Sequence, residues 1–259
     1  MLALKLGLSL PTIKTVGGAG YENLYSLDFD GLNDVLTIPN NTVYTPTSSG
    51  WTISYWIKTS VLNRVVVAKS NASTNVEFYS NISKSTGYPL LGVYGANTPT
   101  IWQDLAAHVN VADGNWHHVA FTFDNAASHP TLAFNAVIDG TLYNISSGNA
   151  SYTSGGTWAS PTNTSEPINF GAATPYPAFV GNIDEISIFD SVLTPPVLVD
   201  MYNSGSPTDL TGAADLQGWW RNGDTAGTSV YPTIEDYSSV GNDGTMTNMA
   251  SGDIVTDVP

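Results

Sequence analysis

Cysteine is absent from the 259 residues, so no disulfide and no thiolate enters any reading of this chain. A secreted animal domain would usually carry a disulfide, and the absence fits folding in a reducing cytoplasm or a prokaryotic or viral origin. Charge is scarce and one-sided: 11% of residues are charged, with 7 Lys and Arg against 22 Asp and Glu, a formal net charge of −15. Such a surface repels phosphate backbones and anionic lipid, which excludes nucleic acid and the membrane surface as expected partners. An acidic chain can also bind calcium, although solubility explains the same charge. The apolar N-terminal stretch is broken by Lys5, Gly7 and Ser9, makes a poor signal peptide, and is too short to span a bilayer.

Aromatics and turn formers are plentiful, with 13 Tyr, 7 Trp, 8 Phe, 24 Gly and 15 Pro. That composition predicts one turn-rich β domain with a single large core. Residues 1–20 differ from the rest. Leu2, Leu4, Leu6, Leu8 and Leu10 alternate, which puts them on one face of an extended strand. Gly17, Gly18 and Gly20 then form a hinge. The expectation is an arm that adds a strand to a partner subunit; the alternative is a first strand of the sandwich or a frayed tail.

Trp51–Lys58 alternates strictly between two faces, and Val65–Val67 and Leu90–Tyr94 add strands. Trp116–Phe123 is another, with Phe134–Tyr143 as its hairpin partner turning at Asp139-Gly140. Adjacent His117 and His118 point to opposite faces and cannot clasp one ion. Residues 146–167 read as a long surface loop. Trp102 and Asp104, together with Tyr152 and Trp158 on that loop, are the candidate ligand-contacting residues; rim aromatics could stack on sugars or merely pin the loop. Gly181–Asp190 reads as a strand buried on both faces, with Ile186 and Ile188 on one and Ile183 and Phe189 on the other. By the same alternation Asp184 and Glu185 fall on opposite faces. A short helix follows at about 195–203, with Thr194 as N-cap, Pro195 at its first position and Asn203-Ser204-Gly205 ending it.

Several of these stretches resemble one family. Ser26-Leu27-Asp28-Phe29-Asp30-Gly31 with Asn33-Asp34 looks like the opening of LamG-like jelly rolls. Gly114–Asp124 is similar to their W-H-H-V-A-x-T-F-D strand, and Gly181–Tyr202 to their closing strand and helix. The family lies in the concanavalin A-like lectin/glucanase superfamily, with laminin G domains and pentraxins. The resemblance implies an all-β, two-sheet antiparallel jelly-roll sandwich over 21–204. Leu216–Arg221 and Asp236–Asn248 resemble a stretch that commonly precedes such sandwiches; here they follow it, and 205–259 is expected to pack on the same sandwich as a C-terminal extension.

Asp30, Asn33 and Asp34 are candidate calcium ligands, the alternative being that they hold their turn through backbone bonds. At the positions of pentraxin calcium ligands the chain has Gly171-Ala172-Ala173-Thr174-Pro175, without a carboxylate. Glucanase relatives carry E-x-D-x-x-E on one strand; Asn182–Ile186 lacks its outer acids, so no enzyme is expected and a glycoside hydrolase is the remoter alternative. The leading expectation is a non-catalytic attachment or assembly module of a virion, as a capsid decoration, fibre or tail-associated protein that contacts other subunits through the arm. The alternative is a secreted or cell-surface glycan-binding domain of a bacterium.

Overall fold

The computed structural model describes residues 21–46, 50–71, 75–95, 102–127, 133–173, 176–224 and 231–259. The leucine arm (Leu2, Leu4, Leu6, Leu8 and Leu10) and its glycine hinge lie outside them.

Two antiparallel sheets face each other across one apolar core. The first runs β10(Thr141–Tyr143), β9(Phe134–Ile138), β8(Trp116–Phe123), β3(Trp51–Lys58), β13(Val180–Phe189), β1(Ser26–Asp30), β17(Ile254–Val255), and β14(Leu216–Trp220) also pairs with β13. The second runs β11(Ala150–Gly155), β7(Trp102–Ala107), β6(Pro89–Tyr94), β5(Val76–Ile82), β4(Arg64–Ser70), β12(Ile168–Phe170), β2(Val35–Ile38), β16(Gly244–Thr247), β15(Thr233–Ile234). Alternate residues of both sheets interdigitate in the core, among them Ile53, Tyr55, Val119, Phe121, Phe78, Leu91, Leu105 and Phe170.

A single α-helix among the described residues, α1(Pro195–Tyr202), covers the outer face of the first sheet. Val197, Leu198 and Met201 meet Ala120, Val137, Phe189 and Trp219 there in a second apolar cluster. Thr194 occupies the N-cap position but its side chain makes no capping bond. Pro195 and Pro196 bring no N–H of their own, so the first turn has fewer donors to satisfy. Asn203 ends the helix in the left-handed region at φ 45°.

Two expectations need correction. Residues 146–167 are not one loop: Ala150–Gly155 form β11, an edge strand paired with all of β7. Only Ala150 and Tyr152 of it pack on the core, too few apolar positions to stand out as a strand. The phase of β13 also shifts midway. Ile183, Ile186 and Ile188 all enter the main core, while Phe189 faces the helix. A β-bulge between Asp184 and Ser187, with Glu185 at φ 47°, inserts one extra residue. It falls where the edge of β13 changes partner, from β1 along Val180–Ile183 to β14 along Ile186–Phe189.

The bulge therefore turns both Asp184 and Glu185 out of the core on the same side, not on opposite faces. Asp184 accepts from Asn23 Nδ2 (3.0 Å) and from the Glu185 backbone N–H (2.8 Å). Glu185 accepts from Trp219 Nε1 (2.6 Å) and from Arg221 Nε (3.1 Å). Arg221 lies over the Tyr21 ring, 4.5 Å from its centroid, and donates to the Glu22 carbonyl (2.5 Å). Asp224 accepts the Leu24 N–H (2.8 Å). This buried network ties residues 21–24 to the segment after β14.

The region after residue 204 is woven into both sheets. β14 pairs with β13, β16 with β2 and β17 with β1. Trp220 is fully buried in the main core, edge-on to Tyr44 at 5.8 Å.

Candidate functional site

The outer face of the second sheet carries an aromatic platform. Phe78, Leu91, Val93 and Leu105 point into the core, so the intervening residues point outward. Register places Tyr79, Gly92, Asp104 and Thr153 side by side across β5, β6, β7 and β11, and Tyr94, Trp102 and Gly155 side by side in the next row.

Two glycines shape the surface. A methyl group on Gly92 would come within 2.5 Å of the Tyr79 ring, and one on Gly155 within 2.5 Å of the Trp102 indole nitrogen. The strands at these points have no side chain, and the Tyr79 and Trp102 rings lie over the backbone. Tyr176, from the segment between β12 and β13, stacks on Tyr79 with centroids 5.3 Å apart and planes 16° from parallel. Tyr94 packs against Tyr79 at 5.6 Å. Tyr176 is exposed, and Tyr79 and Trp102 are half-buried.

Asp104 sits in this row of rings, only 8% exposed. It accepts a hydrogen bond from the Thr153 hydroxyl. Burial raises its carboxyl above the usual carboxylate range, and the Thr153 bonds partly offset that. Burial, then the Asp104 charge and Tyr176, push the Tyr79 hydroxyl up; burial and the neighbouring Tyr79 and Tyr176 do the same for Tyr94. The Tyr79 and Tyr94 hydroxyls therefore stay neutral, able to donate and to accept, at physiological pH.

Of the four ligand-contacting candidates, the structure brings Trp102 and Asp104 together here and places the other two elsewhere. Tyr152 pairs with core-facing Leu105 and packs against the core, 6.4 Å from Phe134. Trp158 packs edge-on to Phe123 at 5.8 Å, and its Nε1 donates to Asn125 Oδ1 at 3.0 Å, which pins its loop to the body. Tyr79, Tyr94, Tyr176 and Thr153 were not singled out from the sequence. Glycines inside strands, at 92 and 155, were the available signal.

The calcium candidates stand on the β1–β2 turn. Asp30 Oδ1 accepts the Leu32 N–H (2.7 Å), Asp34 Oδ2 accepts the Asp30 N–H (2.9 Å), and the Asn33 carbonyl accepts from Asn248 Nδ2 (2.9 Å). Both carboxylates are directed at the backbone of their own turn, a poor fit to a six- to eight-oxygen calcium shell. Among the described residues, no three His, Cys, Asp or Glu side chains are grouped to hold a metal ion.

Two facing antiparallel sheets with a helix packed outside one of them define a lectin-type β-sandwich. The chain belongs to the concanavalin A-like lectin/glucanases superfamily, whose laminin G-type profile matches residues 30–197. Its fold is similar to that of a suggested carbohydrate binding protein from Bacteroides ovatus ATCC 8483, at 14% identity and a TM-score of 0.58, over 91% of this chain and 60% of that one. It is also similar to domain 4 of AbnA, an extracellular arabinanase from Geobacillus stearothermophilus solved with arabinotriose (19% identity, 68% and 75% covered, TM-score 0.49). A pentraxin from Limulus polyphemus gives 14% identity, 69% and 82% covered, and a TM-score of 0.46. No curated protein matches the chain. The chain spans 60% of the length of the Bacteroides protein.

Proposed function

We propose that this protein is a non-catalytic glycan-binding module of an extracellular or cell-surface protein, and that it binds on the outer face of the second sheet. The observation that carries the reading is the Tyr79, Tyr94, Trp102 and Tyr176 platform around Asp104. Sugar rings present apolar C–H faces and rims of hydroxyls. Flat aromatic rings cover the first, and a buried carboxylate with an adjacent hydroxyl holds the second. The superfamily and the fold shared with the Bacteroides protein support it.

Burial argues against hydrolysis. The paired acids of β13, Asp184 and Glu185, are 0% and 5% exposed and bonded to Asn23, Trp219 and Arg221. A general acid must reach the glycosidic oxygen, and these two are covered. Assembly into a particle through the leucine arm is a separate proposal. Residues 21–24, which follow the arm, are clamped to the sandwich by Asp184, Arg221 and Asp224, an anchoring that fits a docking arm and an arm folded back on its own sandwich alike.

The test is binding to a panel of plant, bacterial and animal polysaccharides, followed by titration of oligosaccharides from any that bind. Tyr79→Ala is expected to weaken binding at least tenfold, about 1.4 kcal/mol, while the protein still unfolds cooperatively at a somewhat lower temperature. Trp158→Ala is expected to leave affinity unaltered. Equal affinity of wild type and Tyr79→Ala would move the site elsewhere.

A further inference from the structure

Resting on that reading, we infer that the platform selects neutral glycan chains and rejects uronate, sialate and sulfate sugars, with Asp104 as the discriminating residue. The position of Asp104 carries the argument. It lies in the same cross-strand row as Tyr79 and Thr153, and is 8% exposed. A sugar lying on this face, against Trp102 and the exposed Tyr176 ring that stacks on Tyr79, brings its hydroxyl rim over this carboxylate. Hydroxyls donate to an ionised carboxylate in charge-assisted bonds, stronger than bonds between neutral groups. A carboxylate or sulfate cannot donate, and it would set a second negative charge beside one already short of water.

Nothing in the platform offsets that charge. Its other members are Tyr79, Tyr94, Trp102, Thr153 and Tyr176, all uncharged. Among the described residues, the leading influences on Tyr79, Tyr94 and Asp104 are burial, each other, Tyr176 and Thr153, none of them a cation. Lys69, on neighbouring β4, is fully buried with its ammonium 2.5 Å from Glu77 Oε1 and is not available. The chain as a whole is at −15, so the long-range field acts in the same sense.

Geometry also sets a minimum length. Tyr79 on β5 and Trp102 on β7 stand two strands apart, about 10 Å. That is room for two consecutive sugar rings, so a disaccharide or longer is the unit recognised and a monosaccharide binds weakly.

Calorimetric titration with paired ligands tests this. Neutral xylo-, arabino- and gluco-oligosaccharides are compared with oligogalacturonate, sialyllactose and a heparin oligosaccharide, at low and high salt. Binding of a neutral oligosaccharide at least tenfold tighter than of any anionic one supports the inference. Asp104→Asn should weaken the neutral ligand and raise the anionic-to-neutral affinity ratio at least tenfold; Thr153→Val, which leaves the carboxylate in place, should not raise that ratio. Preferential binding of an anionic sugar, lost in Tyr79→Ala, overturns the selectivity while the glycan site stands. Glycan binding indifferent to Tyr79→Ala overturns both, as does failure of every oligosaccharide to bind.

Discussion

A chain ended after residue 204 is expected not to fold. The missing segment supplies β14, β15, β16 and β17, spread over both sheets. Without it β13 loses its partner along Ile186–Phe189, β2 loses β16 and β1 loses β17. Three strand edges that are now paired would stand open. Trp220 and Met246 would leave the core, and Arg221 would leave the buried acids Asp184 and Glu185. A milder change isolates one contribution. Trp220→Ala removes a fully buried ring that packs on Tyr44 and donates from Nε1 to the Asn242 carbonyl (3.0 Å). It is expected to cost about 3–5 kcal/mol. Circular dichroism and urea unfolding check both. A truncated chain that melts cooperatively near the full-length temperature would show that the last 55 residues, 205–259, are an appendix.

The sequence revealed most where one face of a strand is apolar and the other is not. Trp51, Ile53, Tyr55 and Ile57 alternate into the core, and Val119, Phe121 and Phe123 on β8 face them in register. The hairpin at Asp139-Gly140 was equally legible, because both residues take positive φ, 48° and 74°, and that pair tolerates it. Strict alternation failed on β13, since a bulge adds a residue without any composition cue. The three-residue step from Ile183 to Ile186, in a strand otherwise of period two, was the one visible trace. β11 went unread for a different reason. It is an edge strand of Ser, Thr, Gly and Tyr, and its pairing with β7 is long-range information. The platform lay hidden because its rings come from β5, β6, β7 and a distant segment at Tyr176. Their shared face exists only once the register is known. Trp102 and Asp104 were chosen for their chemistry alone, and nothing local separated them from Tyr152 and Trp158, which turn toward the body.

Arg221→Met is expected to destabilise the protein by about 3–5 kcal/mol, and by more at pH 8 than at pH 5. Arg221 is the cation of a buried group with three acids. Its Nε bonds Glu185, its Nη2 lies 3.4 Å from Asp224 Oδ2, and Asp184 adjoins Glu185. Its guanidinium also packs against the rings of Tyr21, Trp219 and Tyr237 at 4.5, 5.4 and 5.5 Å. Methionine replaces the volume and none of the charge. Burial already pushes Glu185 up to about 7, with Arg221 pulling the other way; burial and the Glu185 charge hold Asp184 well above its usual range. Asp224 is raised as well. Without Arg221 the folded Glu185 holds its proton to still higher pH, while the unfolded chain releases it near 4.5. Wherever the folded state binds the extra proton, stability falls as pH rises, at up to about 1.4 kcal/mol per unit for one group. In the wild type this loss from Glu185 ends near pH 7; in the variant it continues beyond. His118, buried on Ser54 and lowered to about 4, works in the opposite sense, but it is present in both proteins and cancels in the difference. The gap between variant and wild type should therefore widen from pH 5 to pH 8. Arg221→Lys should recover part of the loss at pH 8, because it restores the charge without the planar stacking. Urea unfolding midpoints at pH 5, 6.5 and 8 measure all three proteins. A gap that is constant across that range would mean that Arg221 acts by packing alone and that Glu185 does not titrate against it.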